Sequence, residues 1–215
     1  YHLNDINFPT IDSKNPYKLT KEEEEIINRL EESFKNNETL NRHISFLYSK
    51  SSIYKCFNSN LLFHGCIPME ENGEFSKVEV LGRALAGKEY LDYIDKLIRK
   101  AYFEREQLDK SKEAIDLMWY LWCGPKSPLF GKDKAATFER YFVMEKEMHK
   151  EIKNPYFTLI EREDICNKIL KEFGIEDKNS HIINGHMPVK EKDGESPIKA
   201  NGKLLVIDRR ICKKL

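Results

Sequence analysis

Apolar residues recur at helical spacing in four stretches of the chain. In the first, Thr20 and Glu23 have the spacing of a capping box, and the apolar positions that follow are Ile26, Ile27, Leu30 and Phe34. This pattern predicts an amphipathic helix over residues 20–36. The other three stretches predict helices over 87–102, from 111 to about 122, and over 161–173, the last with Gly174 as its C-cap.

Short apolar runs of strand length alternate with these helices. Two runs within 51–64 flank the turn residues Asn58-Ser59-Asn60 and predict a β-hairpin, and a weaker alternation over 75–80 predicts a further strand. HIINGHMPV (181–189) and KLLVID (203–208) are two more short strands. Because strands and helices mix along the whole chain without a repeat or a low-complexity linker, the pattern predicts a single α/β domain over 1–215.

The charge balance narrows the choice of partners. The 215 residues include 36 basic and 36 acidic side chains, so the formal net charge is zero, which disfavours nucleic acid and anionic membranes as partners. No apolar run approaches the roughly 18 residues of a membrane span. The five cysteines are scattered and include no CxxC pair, so neither a zinc knuckle nor a disulfide framework is indicated. We therefore expect a reducing, cytoplasmic location.

Two of the six histidines occur in a shared context. His64 in LLFHGCIP and His186 in IINGHMPV each end an apolar strand, next to a glycine and shortly before a proline. Ligand sites of open α/β sheets lie outside the carboxyl ends of strands, and neutral imidazole is a common metal ligand. A structural role and a metal site are equally well supported by this pattern alone. The other histidines are predicted to be surface or structural residues: His2, His43, His149 and His181.

Long stretches around these histidines resemble one enzyme family. They are RHISFLYSKSSIYKCFNSNLLFHGCIP, MWYLWCGPKSPLFGKDKAATFERYF, HKEIKNPY and HIINGHMPVKEKDGESPIKANGKLLVID. Together they closely resemble the class III fructose-1,6-bisphosphatases of Firmicutes-type bacteria, which are members of the calcineurin-like metallophosphoesterase superfamily. The resemblance covers nearly the whole chain, from about residue 10 to Asp208.

The resemblance implies a fold, a reaction and a metal. The fold is a metallophosphoesterase β-sandwich flanked by helices, of which this chain would supply the C-terminal part. The reaction is hydrolysis of fructose 1,6-bisphosphate to fructose 6-phosphate and phosphate, a gluconeogenic step, with Mn²⁺ as the usual ion in a dinuclear site. Carried over by motif, His64 and His186 are two ligands of one of the two metals.

The chain also departs from the family pattern. The DxH, GDxxDR and GNH(D/E) motifs, which supply the other ligands in this superfamily, do not occur in the 215 residues. We therefore expect no complete catalytic set and no appreciable phosphatase activity from this chain alone. The tail 209–215 is also atypical, because IDRRICKKL stands where the family has Ile-Asp-Gly-Gly-Phe, and a one-base frameshift would account for the difference.

Three cations are candidates for binding the sugar phosphates. Lys126 and Lys132 lie in the loop KSPLFGKDK, and Arg140 lies in FERYF. A solvated basic loop and a helix-surface arginine explain the same residues equally well. The aromatic residues of this region are predicted to be core rather than a sugar-stacking platform: Trp119, Trp122, Phe130, Phe138, Tyr141 and Phe142.

Two other functions compete with this interpretation. One is a non-catalytic interaction module, and the other is a metallophosphoesterase that acts on another phosphate ester. Strands that belong to a larger sheet would leave exposed edges, which promote association. We therefore expect either a homo-oligomer or a partner that supplies the N-terminal half.

Overall fold

The computed structural model describes residues 1–104 and 108–207. The chain divides into two compact units, one formed by Tyr1–Ser51 and Ala136–Lys150 and the other by Ser52–Ala135 and Glu151–Leu215. The predicted single domain over 1–215 stays a prediction, to be checked by unfolding measurements. Asp208 and the tail 209–215 lie outside the described residues.

The first unit is helical. It contains α1 (Lys21–Lys35), α2 (Glu38–Lys50) and the short α5 (Thr137–Phe142). The predicted capping box is present, since the backbone N–H of Glu23 donates to Thr20 Oγ1 and the Glu23 carboxylate accepts from the Thr20 backbone N–H. The N-terminal segment packs on α5, where the Asn4 N–H donates to the Phe142 carbonyl over 2.8 Å. Neither α1 nor α2 contains a buried residue.

The second unit is built around a five-stranded mixed sheet. Its strands are β1 (Tyr54–Phe57), β2 (Asn60–Phe63), β5 (Ile182–Asn184), β6 (Ile198–Lys199) and β7 (Leu204–Val206), in the order β1-β2-β5-β7-β6. β2, β5 and β7 are parallel neighbours, whereas β1 and β6 pair antiparallel at the two edges. The mixed sheet with its helices confirms the predicted α/β class.

The predicted hairpin forms between β1 and β2. Asn58 and Ser59 have φ values of +47° and +58°, the left-handed conformation that a two-residue hairpin turn requires. A second hairpin, which the pattern indicated only in part, pairs β3 (Val78–Val80) with β4 (Arg83–Leu85).

Four helices share one hydrophobic core with the sheet. They are α3 (Gly87–Phe103), α4 (Leu108–Cys123), the short α6 (Tyr156–Leu159) and α7 (Glu163–Glu172). Leu61, Ile182 and Leu204, from three adjacent strands, are fully buried in the core. α7 ends as predicted, because Gly174 takes φ +72° and the N–H of Ile175 returns to the Leu170 carbonyl.

The prediction that the aromatic cluster is core is wrong for four of its six members. Trp119, Trp122, Phe138 and Tyr141 are each at least two-thirds exposed. For the two tryptophans the reason is helical geometry. The face of α4 that packs into the core carries Ala114, Leu117 and Leu121, and the tryptophans lie on another face of the same helix.

Candidate metal centre

His64 and His186 follow two neighbouring parallel strands. His64 comes directly after β2, and His186 follows β5 by two residues. Leu61 pairs with Ile182 in the register of these strands, so both carboxyl ends reach the same edge of the sheet. The Gly185 N–H donates to the His64 carbonyl over 2.9 Å, which joins the two loops immediately beyond the strands.

The two imidazoles contact each other directly. His64 Nε2 lies 3.0 Å from His186 Nδ1, and the ring centroids are 4.8 Å apart. His186 Nε2 lies 2.8 Å from the Phe130 carbonyl oxygen, and an oxygen of this kind only accepts. In neutral His186 the proton is therefore on Nε2, Nδ1 carries the lone pair, and His64 donates the bond between the rings. This tautomer is assigned from the hydrogen-bond network.

The surroundings of His64 favour its neutral form. Desolvation of its ring, and then the repulsion that would arise if both rings were protonated, lower the pKa of His64 below the ordinary value of 6.5. A neutral imidazole is the form that binds a metal ion, and the carbonyl behind His186 is the kind of group that orients a ligating histidine.

The glycines beside the histidines allow a close approach of the backbone. A Cβ atom on Gly65 would lie 2.4 Å from the Pro128 carbonyl oxygen, and one on Gly185 would lie 2.8 Å from that of Ile207. His186 itself has φ +71°, a conformation that costs energy for a residue other than glycine. The strand ends are therefore packed tightly, and a strained residue presents one of the two rings.

Asn184, the last residue of β5, holds the two loops together from inside. It is buried, and its Nδ2 donates to the Gly65 carbonyl oxygen over 3.1 Å and to Tyr156 Oη over 2.8 Å. Its Oδ1 has no hydrogen-bond partner among the described residues. Neither Asn184 nor the Phe130 carbonyl was among the predicted site residues. The sequence Ile-Asn-Gly-His does carry a signal for Asn184, because an asparagine inside a buried strand needs hydrogen-bond partners.

The three candidate phosphate-binding cations occupy different environments. Lys132 lies two residues from Phe130, and its Nζ forms a 2.8 Å ion pair with Glu151. Lys126 Nζ lies 3.1 Å from the Glu70 carboxylate. Arg140 belongs to the helical unit, where it donates to the His149 carbonyl oxygen over 3.3 Å. The assignment of all three to substrate binding stays a prediction.

The remaining histidines contact other groups or lie on the surface. His2 Nδ1 lies 2.7 Å from Glu145, His149 Nε2 lies 2.8 Å from the Val143 carbonyl oxygen, and His181 Nδ1 lies 3.3 Å from Asn60 Oδ1. His43 is exposed on α2. The ring contact between His64 and His186 therefore distinguishes these two histidines from the other four.

The donor set fits a metal ion in part. Two ligand nitrogens at about 2.1 Å from an ion and at a right angle would lie about 3 Å apart, which is the separation of His64 Nε2 and His186 Nδ1. No group of three or more His, Cys, Asp or Glu side chains suited to a metal occurs in residues 1–104 and 108–207. The described residues therefore place two donor nitrogens at the spacing of metal ligands, without a third side chain suited to complete the site.

Comparisons with known proteins agree on one family. The whole chain, residues 1–215, matches the model described as Firmicute fructose-1,6-bisphosphatase. It is 56% identical over 213 residues to the class 3 fructose-1,6-bisphosphatase of Clostridium tetani and 59% identical over 213 residues to one from Clostridium beijerinckii. Each alignment covers 99% of this chain and 32% of the relative.

A relative from Fusobacterium matches with similar identity and coverage. The class 3 fructose-1,6-bisphosphatase of Fusobacterium nucleatum is 54% identical over 208 residues, which are 97% of this chain and 32% of that protein. The chain thus spans about a third of the length of the curated relatives that it matches. No solved structure matches it.

Proposed function

This chain belongs to the Firmicute fructose-1,6-bisphosphatase family, and from that premise we propose that it supplies two histidine ligands to the metal centre of such an enzyme. The reaction is hydrolysis of fructose 1,6-bisphosphate to fructose 6-phosphate and phosphate, which serves gluconeogenesis. The observation that carries the proposal is the 3.0 Å approach of His64 and His186 at the ends of adjacent parallel strands.

The chain's own residues prepare the site for a divalent ion, for which we propose Mn²⁺ in a dinuclear centre. His186 directs its Nδ1 lone pair towards His64 because its Nε2–H is engaged by the Phe130 carbonyl. With its proton on Nδ1 instead of Nε2, His64 would remain neutral, and its Nε2 lone pair and the Nδ1 lone pair of His186 would hold the ion. When bound, a pair of such ions supplies a hydroxide nucleophile and clamps the phosphoryl oxygens.

Lys132 is the cation that we favour for the substrate phosphates. It follows Phe130 by two residues, and Phe130 contacts the metal centre through its carbonyl. Lys132 Nζ is paired with Glu151 and lies 6.0 Å from the centroid of the Phe130 ring. A dianionic phosphate would therefore compete with one carboxylate for the lysine. Lys126 and Arg140 remain further candidates for the same role.

The fold and partners form part of the same proposal. We take the five-stranded sheet to be one sheet of a metallophosphoesterase sandwich. The longer relatives carry additional chain, and we propose that such a segment completes the sandwich. The alternative assembly is a homo-oligomer of this chain.

No helix in residues 1–104 and 108–207 is both long and apolar enough to cross a membrane. A cytoplasmic location is proposed because the four cysteines in the described residues are free.

The chain alone is expected to release no phosphate, since the described residues lack the carboxylates of a dinuclear centre. The test is a chimera in which this chain replaces the matched third of the Clostridium tetani relative. With Mn²⁺ it should hydrolyse fructose 1,6-bisphosphate, and His64→Ala and His186→Ala should each abolish hydrolysis, whereas His43→Ala should not. Release of phosphate from other esters in a substrate panel, but not from fructose 1,6-bisphosphate, would defeat the substrate assignment.

A further inference from the structure

Helix α4 is apolar on two faces. One face carries Ala114, Leu117 and Leu121, which are buried beneath it. A second stripe has the spacing i, i+3, i+4, i+7 and consists of Ile115, Met118, Trp119 and Trp122. We call this stripe the tryptophan face.

The two tryptophans of this face are open to solvent in the part of the chain that the structure describes, whereas Ile115 and Met118 are half-buried. Trp119 and Trp122 are 67% and 69% exposed, and their rings contact only edge to face with centroids 5.1 Å apart. Exposed contiguous apolar surface of this kind marks an interaction site in soluble proteins. Tryptophan is also one of the residues enriched among those that dominate interface energies.

We infer that the tryptophan face is covered, in the full-length enzyme, by the part of the family's polypeptide that lies outside the matched third. The matched span is 32% of the length of each relative. The relatives therefore carry about twice as much chain outside this span as within it. The inference rests on the proposed function, because both assume that the active enzyme contains the longer chain of the family.

The size of the face favours a covalently linked occupant over a second copy. Four side chains on two helical turns, two of them half-buried, cover less than the roughly 800 Å² that each partner contributes to a standard interface between separate molecules. A segment of the same chain is held at a high effective concentration and needs no such area. Lys112, Glu113 and Asp116 flank the stripe with mixed charge, so the face also lacks the basic rim of a helix that binds anionic membranes.

The experiment uses the two tryptophans as reporters, because they are the only two in the chain. Acrylamide quenching of their fluorescence is measured in the chain alone and in the Clostridium tetani chimera. Tryptophans in the Clostridium tetani part of the chimera also fluoresce. Their signal is measured in a chimera that carries Trp119→Phe and Trp122→Phe, and it is subtracted. We expect the quenching constant of the pair to fall at least threefold in the chimera.

Stability supplies a second readout. Trp119→Ala and Trp122→Ala should lower the melting temperature of the chimera and leave that of the chain alone unchanged, because the rings are exposed there. Tyr17→Ala, which removes an aromatic ring that is 93% exposed in a loop, is the matched control and should change neither.

Several results would overturn the inference. They are unchanged quenching in a folded chimera, protection that appears in the chain alone as its concentration rises, and protection by lipid vesicles. A chimera that does not fold also counts against it, because a face fitted to the family's chain should accept that of a relative with 56% identity. Hydrolysis of fructose 1,6-bisphosphate is assayed separately, so a protected but inactive chimera refutes the proposed function and supports this inference.

Discussion

Replacing Asn184 tests whether the strand ends are tied together as the structure indicates. Asn184→Ala removes the hydrogen bonds to the Gly65 carbonyl and to Tyr156 Oη, and leaves both of these buried groups without that partner. Each such loss costs about 1–3 kcal/mol. The substitution also removes the unpartnered Oδ1, which returns about 1–3 kcal/mol of desolvation. The net destabilisation is expected to be about 2 kcal/mol.

The assay is urea unfolding followed by far-ultraviolet circular dichroism at pH 7. Tyr156→Phe is the matched variant, because it removes one of the two bonds and keeps the ring; we expect it to cost about 1 kcal/mol. The double variant should cost less than the sum of the two single ones, since both act on one bond. A cost for Asn184→Ala below about 0.5 kcal/mol would refute this account of how the two histidine loops are joined.

Three further predictions follow from the same region and from the helical unit. His186→Gly should be about 1 kcal/mol more stable than His186→Ala, because only glycine takes φ +71° without strain; thermal unfolding compares them. Gly65→Ala should destabilise the chain by about 1–3 kcal/mol in urea unfolding, because its Cβ would lie 2.4 Å from the Pro128 carbonyl oxygen. The backbone and side-chain hydrogen bonds from His2 lower the pKa of Glu145 to about 2. The stabilisation that this carboxylate gives is therefore present above its ordinary pKa of 4.5 and is lost as the pH falls towards 2, which amide exchange of the N-terminal segment can follow.

Each of these predictions has a contrary outcome. Equal stability of the glycine and alanine variants at 186 would mean that the backbone there is not strained. A Gly65→Ala protein as stable as the parent would show that the loop can yield at Pro128. Protection of the N-terminal amides that does not change between pH 5 and 2, or that changes equally in Glu145→Gln, would exclude the carboxylate as the cause.

Local patterns predicted most of the elements. The capping box at Thr20 and the hairpin turn at Asn58 and Ser59 depend on neighbouring residues, so the sequence alone indicates them. The convergence of His64 and His186 also follows from a local rule, because both end strands and the carboxyl ends of parallel strands share an edge.

Other features depend on contacts that no local pattern encodes. The Phe130 carbonyl lies 56 residues from the histidine that it orients, and the partners of Asn184 come from two other segments. The prediction that Trp119 and Trp122 are buried is wrong because hydrophobicity alone does not guarantee burial. The described residues bury one apolar face of α4 and leave the two tryptophans of the other exposed, and residue type does not say which face is covered.

The most direct test of the metal centre is the response of the histidine ring protons to Mn²⁺. A paramagnetic ion broadens the signals of the rings nearest to it, and the six histidines can be assigned with single alanine variants. At substoichiometric Mn²⁺, the signals of His64 and His186 should broaden together and before the other four, and either alanine variant should abolish the effect at both positions. Broadening first at another histidine, or broadening of His64 that persists in His186→Ala, would contradict the claim that the two rings form one metal site.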